Sequence, residues 1–148
     1  MRYIATAFIF YKNKLLFVLH KKSGLWMHVG GHVEANENIE EALLREIKEE
    51  INIPVVVLDT LNLKTKRTNL VRPLKHPFFI HQGTHLVRGK YTAFDYVCIA
   101  KSTKIKLKED ELLDYKWVSK SEIKKLKAYK YLKDLAIKAF EYYKTQKE

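Results

Sequence analysis

Three glutamates have the spacing that places them on one face of a helix: Glu46, Glu49 and Glu50. Positions i, i+3 and i+4 share an arc of about 100°. They fall in the last turn of the predicted helix, where the helix dipole disfavours each anion by about 0.3–1 kcal/mol. Oxygen-rich clusters of this kind suit hard divalent cations. The spacing therefore predicts a Mg²⁺ or Mn²⁺ site, and a solvated acidic face is the alternative.

The segment that contains these glutamates resembles the Nudix box of the nucleotide pyrophosphohydrolases. That pattern is Gly-x5-Glu-x7-Arg-Glu-U-x-Glu-Glu-x-Gly-U, where U is aliphatic. The chain matches it over residues 31–53 at Gly31, Glu37, Arg45, Glu46, Ile47, Glu49, Glu50 and Ile53. The only departure is Asn52, which stands where the pattern has its last glycine.

The resemblance implies cleavage by water within the pyrophosphate of a nucleoside diphosphate linked to a further group. It implies Glu46, Glu49 and Glu50 as metal ligands, and the carbonyl of Gly30 as a further ligand. Metal ions would neutralise the phosphates and activate water, and one carboxylate would accept its proton. Arg45, four residues before Glu49, would pair with it and orient a ligand. A simple surface ion pair is the alternative for Arg45.

Two more acids have positions that the resemblance makes informative. Glu37 resembles the box glutamate that supports the preceding loop, so we expect a structural role for it. In the MutT-type branch a further carboxylate lies six residues before a Trp near the final strand, and Glu111 lies six residues before Trp117. Acidic loops are common, and coincidence is the alternative for Glu111.

The charge of the chain is strongly basic and unevenly distributed. The net charge is +11, although residues 31–53 carry seven acids against two basic side chains, and no acid occurs between Asp59 and Asp95. An acidic metal centre in a basic protein fits a polyanionic substrate. Nucleic acid or solubility alone are the alternatives. From the acid-free segment we predict Arg67, Arg72 and Lys75 as phosphate-binding residues and Phe79 as a stacking residue.

Several functions follow from the resemblance, and the sequence leaves the subfamily open. The leading hypothesis is a hydrolase of a small nucleotide, either a nucleoside triphosphate, including oxidised purine nucleotides, or an ADP-ribose-like sugar nucleotide. The alternatives are removal of the 5′ pyrophosphate from RNA and a non-catalytic, nucleotide-sensing module. The oligomeric state also stays open, with a homodimer among the alternatives.

The elements that must position these residues can be predicted from local patterns. Residues 2–11 and 15–20 predict an antiparallel hairpin, and residues 25–29 a short strand that leads to Gly30 and Gly31. Asn38 and Glu41 form a capping-box pair that opens a helix over residues 39–51. Asn52 lies where a residue of positive φ is wanted, and Asn tolerates that conformation second only to Gly.

The second half of the chain predicts further strands and a final helix. We expect strands at residues 53–63, 78–81, 91–101 and 115–118, an irregular segment over residues 65–90, and a helix over residues 129–143 preceded by a capping pair, Ser119 and Glu122. The resemblance implies the α/β (α+β) Nudix fold, a mixed β-sheet sandwiched between α-helices.

The length and apolar segments bound the remaining expectations. The 148 residues are about the size of one domain, which we expect to span residues 1–148. No stretch approaches the roughly 20 apolar residues of a membrane helix, and the apolar start is too short for a signal peptide. We expect a cytoplasmic protein that does not interact with membranes. Cys98 lies in an apolar run and predicts a buried structural thiol.

Overall fold

The structure is a computed structural model, and it describes residues 1–146. Its first two strands, β1 (Arg2–Tyr11) and β2 (Lys14–His20), form the predicted antiparallel hairpin. Lys12 and Asn13 form the two-residue turn, with φ values of 45° and 67°. Positive φ at both positions gives the turn a twist that matches that of the flanking strands.

The strands form one mixed sheet of eight, completed by β3 (Trp26–Met27), β4 (Val29–His32), β5 (Val55–Val57), β6 (Phe79–His85), β7 (Gly89–Ala100) and β8 (Leu112–Val118). β1 and β7 run parallel to each other, whereas the other strand pairs are antiparallel. β1 pairs with β4 over residues 4–7, and β7 pairs with β6 over residues 89–95. The starts of β1 and β7 therefore lie between β4 and β6.

Helices cover both faces of this sheet, as the predicted fold class requires. Alternate residues of β1 point to opposite faces. Ala5, Ala7 and Ile9 pack with α1 (Ile39–Glu50) in one apolar cluster. Phe8 and Phe10 pack with α2 (Lys130–Gln146) in another. Burial on both faces explains why the end of β1 is apolar at every position.

The predicted helix signals are present. Asn38 accepts from the N–H of Glu41, whose side chain accepts from the N–H of Asn38, so the capping box opens α1. Asn52 follows the helix with φ of 51°, in the left-handed region. The pair Ser119 and Glu122 also forms a capping box, but it opens a short 3-10 helix (Lys120–Lys125) that precedes α2.

The predicted lengths of two strands need correction. The strand predicted over residues 53–63 is only β5, because β7 offers it three partners, from Cys98 to Ala100. β6 is longer than expected and continues to His85, because it pairs along β7 up to the turn at residues 86–88. Within α1, Leu43 and Ile47 are buried, whereas Leu44 is 47% exposed.

Two remaining expectations concern burial and membranes. Cys98 is fully buried in the apolar cluster beneath α1, as predicted for a structural thiol. Burial raises the pKa of its thiol to about 12, so the thiol stays protonated at neutral pH. Within residues 1–146, neither α1 nor α2 nor the 3-10 helix has the length and apolar character needed to cross a membrane.

Candidate active site

Glu50 is the most buried acid of the central helix. Glu50 is only 2% exposed, and its Oε1 accepts a hydrogen bond from the backbone N–H of Gly30 at 3.0 Å. Burial raises the pKa of this carboxyl to about 8; the Gly30 N–H opposes the shift, and the charges of Glu46 and Glu111 add to it. A nearby cation would stabilise the ionised form of this buried carboxylate.

Glu46 lies against the second glycine of β4, Gly31. A Cβ atom added to Gly31 would come within 2.4 Å of Glu46 Cδ, so only glycine leaves room for the carboxylate at this distance. Burial raises the pKa of Glu46, and the hydrogen bond from Arg45 opposes that shift. α1 and β4 therefore bring the carboxylates of Glu46 and Glu50 to the adjacent glycines Gly30 and Gly31.

Arg45 holds this arrangement together through several hydrogen bonds. Its guanidinium donates to both carboxylate oxygens of Glu37, at 2.7 and 3.1 Å, and to the carbonyl of His32 at 2.8 Å. It also donates to Glu46 at 2.9 Å and to Glu49 at 3.4 Å. The hydrogen bonds to Glu37 are the main reason that the pKa of Arg45 is raised above its usual value. The predicted pair with Glu49 is present, but the bidentate pair with Glu37 is shorter.

Glu49 and Glu111 are the more accessible acids of the group. Glu49 is exposed, and Glu111 pairs with Lys108 Nζ at 3.0 Å. The charge of Glu111 acts on the pKa of both Glu46 and Glu50, which places it on the same side of the molecule. The predicted acids are thus brought together, although their roles stay predictions.

The acidic residues suit a hard divalent cation, because their ligand atoms are carboxylate oxygens, and the Gly30 carbonyl stays a predicted further ligand. Within residues 1–146 no three acidic, His or Cys side chains converge as a closed metal site. Arg45 Nη1 instead lies within 2.9 Å of Glu46 and 3.4 Å of Glu49 and supplies the positive charge there. The residue types fit Mg²⁺ or Mn²⁺, with Glu46, Glu49 and Glu50 as the side chains that would hold it.

A cavity of about 690 Å³ opens beside the two glycines. Its floor includes Ile4 and Thr6 of β1, whose side chains point away from the face that α1 covers. Its walls come from β4, β6 and β7, from the loop that follows β2, and from the start of α2. Gly30 and Gly31 therefore border both the acidic cluster and this cavity.

A fully buried acid, Asp95, lies at the bottom of the cavity. It accepts hydrogen bonds from the hydroxyl of Thr6 and from His81 Nδ1, the latter at 2.7 Å. His28 Nε2 lies 3.5 Å from it. Burial alone would raise the pKa of Asp95, but the imidazoles of His28 and His81, together with Thr6, hold it below its ordinary value. Asp95 is therefore ionised at neutral pH.

The predicted substrate-binding residues are only partly placed at this cavity. Phe79 stacks on His81 with ring centroids 6.0 Å apart and lines a neighbouring cavity beside α2. Arg67 and Arg72 lie in the exposed segment between β5 and β6 and do not line either cavity. Lys75 donates from Nζ to the carbonyl of Val57 instead. Charge alone selected these three basic residues, and their binding role stays a prediction that the geometry does not support.

Sequence reasoning missed the buried network around Asp95. Thr6, His28 and His81 come from separate parts of the chain, and no local spacing relates them to Asp95. One signal was available: Asp95 interrupts the apolar run over residues 93–100, and a charged residue in such a run is rarely buried without partners.

Comparison with known proteins agrees with this arrangement. The family model described as NUDIX domain matches residues 1–138. The chain is similar to the nucleoside triphosphatase NudI of Escherichia coli O139:H28 (strain E24377A / ETEC), with 30% identity over 106 residues. It is also 33% identical over 100 residues to NudI of Salmonella newport (strain SL254). Each match covers 68% of this chain and 65% of the relative, so the chain spans less than two thirds of either relative.

Solved structures share the fold. A NUDIX family hydrolase from Clostridium perfringens superposes with a TM-score of 0.81 at 27% identity, and the match covers 94% of this chain and 95% of that one. An Ap4A hydrolase from C. elegans superposes with a TM-score of 0.74 at 16% identity, over 99% of both chains, which shows the fold alone. Because the family model covers nearly the whole sequence and the box residues meet at one site, this chain belongs to the NUDIX family.

Proposed function

We propose that this protein is a divalent-cation-dependent pyrophosphohydrolase of small nucleotides. This proposal rests mainly on one observation: Glu46 and Glu50 meet Gly30 and Gly31 of β4 at the edge of a nucleotide-sized cavity. A pyrophosphate at this edge would lie between the acidic cluster and a cavity with room for the nucleoside. The relatives named nucleoside triphosphatase support a nucleoside triphosphate as substrate, in preference to an ADP-ribose-like sugar nucleotide.

The cation, Mg²⁺ or Mn²⁺, would neutralise the phosphates and lower the pKa of bound water. The residues of this chain supply the rest. Glu46, Glu49 and Glu50 would hold the cation, and a carboxylate among the acidic residues, including Glu111, would accept the proton of water. Arg45 positions these acids through Glu37 and the His32 carbonyl.

The test is a panel of nucleoside triphosphates and sugar nucleotides assayed with Mg²⁺, with released pyrophosphate, phosphate and monophosphate measured separately. We expect Mg²⁺-dependent turnover of a triphosphate. Glu49→Gln should lose at least about 100-fold in kcat, in line with the loss of a catalytic carboxylate. Glu141→Gln is the matched control, because Glu141 is exposed on α2 and pairs only with Lys120 among the ion pairs described.

Three outcomes would contradict the proposal. Turnover that persists without any divalent cation would exclude the metal-dependent mechanism. An unchanged rate for Glu49→Gln would remove the acidic cluster from catalysis. Nucleotide binding without turnover of any panel member would favour the nucleotide-sensing alternative instead.

A second candidate is removal of pyrophosphate from the 5′ end of RNA. The exposed segment between β5 and β6 favours it, since Lys64, Lys66, Arg67 and Arg72 are all exposed there. This function requires faster turnover of triphosphorylated RNA than of the free nucleotide, and a steep loss of that advantage with salt. Equal or better turnover of the free nucleotide would argue against it.

A further inference from the structure

Several buried nitrogen atoms of the cavity have no hydrogen-bond partner. In the described part of the chain, the buried side-chain nitrogen atoms without a hydrogen-bond partner are Arg2 Nε, His28 Nδ1 and His81 Nε2, and His28 Nε2 has Asp95 at 3.5 Å. All three residues line the cavity beside Gly30 and Gly31. Buried polar groups are almost always hydrogen-bonded, so these atoms are expected to meet a ligand or water.

Among these open nitrogen atoms, Arg2 Nε is a donor and His81 Nε2 is one when its ring is protonated, whereas His28 in its neutral form offers one donor and one acceptor. Arg2 Nε carries a hydrogen and cannot accept. Asp95 is the one acid among residues 1–146 that lines the cavity, and it already accepts from Thr6 and His81 and has His28 beside it. His81 gives its Nδ1 hydrogen to Asp95, and this hydrogen bond raises the pKa of His81, which favours a second hydrogen on Nε2.

Arginine side chains at the rim of the cavity also present hydrogen-bond donors. Arg2 and Arg88 both approach His32 Nε2, at 3.4 and 3.1 Å, so this nitrogen acts as their acceptor. The Arg2 guanidinium also donates to the carbonyl of Gly89. These contacts fix Arg2 with its Nε hydrogen free. A ligand that enters the cavity therefore meets positive charge and hydrogen-bond donors.

Aromatic rings form one wall of the cavity. Tyr129 and Tyr131 lie with ring centroids 6.0 Å apart and an interplanar angle of 26°. The ring centroid of His81 lies 5.7 Å from that of Tyr131 and 6.1 Å from that of Tyr91. Such a wall suits a flat ring that stacks on it. A nucleobase satisfies both the aromatic wall and the donors.

We propose that this cavity is a nucleobase subsite that selects a carbonyl-bearing edge, with His81 Nε2 and Arg2 Nε as the donors that read it. The proposal rests on the proposed function and adds the class of base to it. Guanine, hypoxanthine, uracil and thymine present such an oxygen. Adenine and cytosine present an amino group at the corresponding ring position, and that group would face donors and leave them unpaired.

The test compares bases that differ at this position. ITP and ATP differ in a 6-carbonyl against a 6-amino group, and UTP and CTP differ likewise at position 4. We expect kcat/KM for ITP to exceed that for ATP at least about tenfold, and UTP to exceed CTP likewise, because the amino group leaves buried donors unpaired. GTP against UTP then distinguishes a purine subsite from a pyrimidine subsite.

Binding of monophosphates makes the test independent of catalysis. IMP and AMP contain no pyrophosphate bond, so calorimetry with Mg²⁺ present measures recognition alone. We expect IMP to bind at least about tenfold more tightly than AMP. Selective binding of IMP without triphosphate turnover would overturn the proposed function but support this subsite. Equal binding of IMP and AMP, or tighter binding of AMP, would overturn the subsite even if both triphosphates are hydrolysed.

Variants assign the selectivity to His81. His81→Phe keeps a ring and removes the donor, and we expect the preference for IMP over AMP to shrink to less than about threefold. His76→Phe is the matched control, because His76 is exposed and lies outside the cavity. An undiminished preference in a folded His81→Phe protein would overturn the assignment. The ratio of IMP to AMP binding and the ratio of ITP to ATP turnover are measured on the unmodified protein, so both results hold whether or not the variant folds.

Discussion

The backbone N–H of Gly30 donates to Glu50 Oε1 at 3.0 Å, and this hydrogen bond joins α1 to β4 at the border of the cavity. Gly30 has φ of 155°, and its neighbour Thr6 reaches Asp95 on the other side. A single peptide group thus connects the acidic cluster with the buried network of the cavity. Substitutions in the acidic cluster and in the buried network around Asp95 are therefore expected to have different effects on stability and activity.

The stability of the metal-free protein should fall as the pH rises from 6 to 8. The pKa of Glu50 is about 8 in the folded protein against about 4.3 in the unfolded chain. The folded state therefore holds an extra proton between these values, and its stabilising effect is complete below pH ~4 and lost as the pH approaches 8. Over this range wild type should lose roughly 2 kcal/mol more unfolding free energy than Glu50→Gln.

Urea denaturation at several pH values, in the presence of a chelator, measures this difference. Comparison with Glu50→Gln cancels the titration of groups common to both proteins, such as His81. Added Mg²⁺ should reduce the pH dependence of wild type more than that of the variant, because the cation stabilises the ionised carboxylate. Parallel pH profiles for the two proteins would contradict the prediction.

The two adjacent glycines should respond differently to alanine. A Cβ on Gly30 would lie 2.3 Å from the carbonyl oxygen of Ala5, which is backbone and cannot move away. We expect Gly30→Ala to lose about 2–4 kcal/mol of unfolding free energy. The three atoms nearest a Cβ on Gly31 all belong to the carboxylate of Glu46, the end of a flexible side chain.

Gly31→Ala should therefore cost less than about 1 kcal/mol in stability but weaken Mg²⁺ binding, because Glu46 must turn away. Thermal melting and metal titration by calorimetry separate the two effects. Equal loss of stability in the two variants, or normal Mg²⁺ affinity in Gly31→Ala, would contradict this account.

Replacing Arg45 by lysine should be costly although the charge is kept. Lysine cannot donate to both oxygens of Glu37 and to the His32 carbonyl at once, as the guanidinium does. We expect a loss of about 1–2 kcal/mol in stability and a clear drop in kcat. Lys48→Arg, the reverse exchange at an exposed position of α1, is the control and should match wild type in both measurements. A rate for Arg45→Lys equal to wild type would reduce Arg45 to a surface ion pair.

Asn52, which departs from the family pattern, should tolerate glycine better than alanine. Its φ of 51° is in the left-handed region, where a Cβ is unfavourable and Asn is tolerated. Asn52→Ala should cost about 1 kcal/mol, whereas Asn52→Gly should stay within about 0.5 kcal/mol of wild type. Chemical denaturation of the two variants measures this, and both should retain activity. A larger cost for glycine than for alanine would show that the side chain of Asn52 acts otherwise.

The parts of the fold that the sequence predicted well depend on neighbours a few residues apart. The capping pair of Asn38 and Glu41 spans three residues, and the turn at Lys12 and Asn13 spans two. The three glutamates of α1 occupy about one turn. Helix capping, turn propensity and the helical repeat all act over a few residues, so the local pattern alone indicates the helix or the turn. The predicted length of β5 was wrong because β7 pairs with β5 only from Cys98 to Ala100 and pairs with β6 over residues 89–95.

The sequence by itself determined the family, the central helix and the acidic cluster, because Glu46, Glu49 and Glu50 lie on one helix that brings them together in any fold. Only the tertiary structure decided the cavity. Asp95 meets Thr6 across 89 positions of sequence and His81 across 14, because β1, β6 and β7 pair side by side in the sheet. Strand pairing depends on the whole chain, so no local spacing records which side chains a sheet will bury against one another.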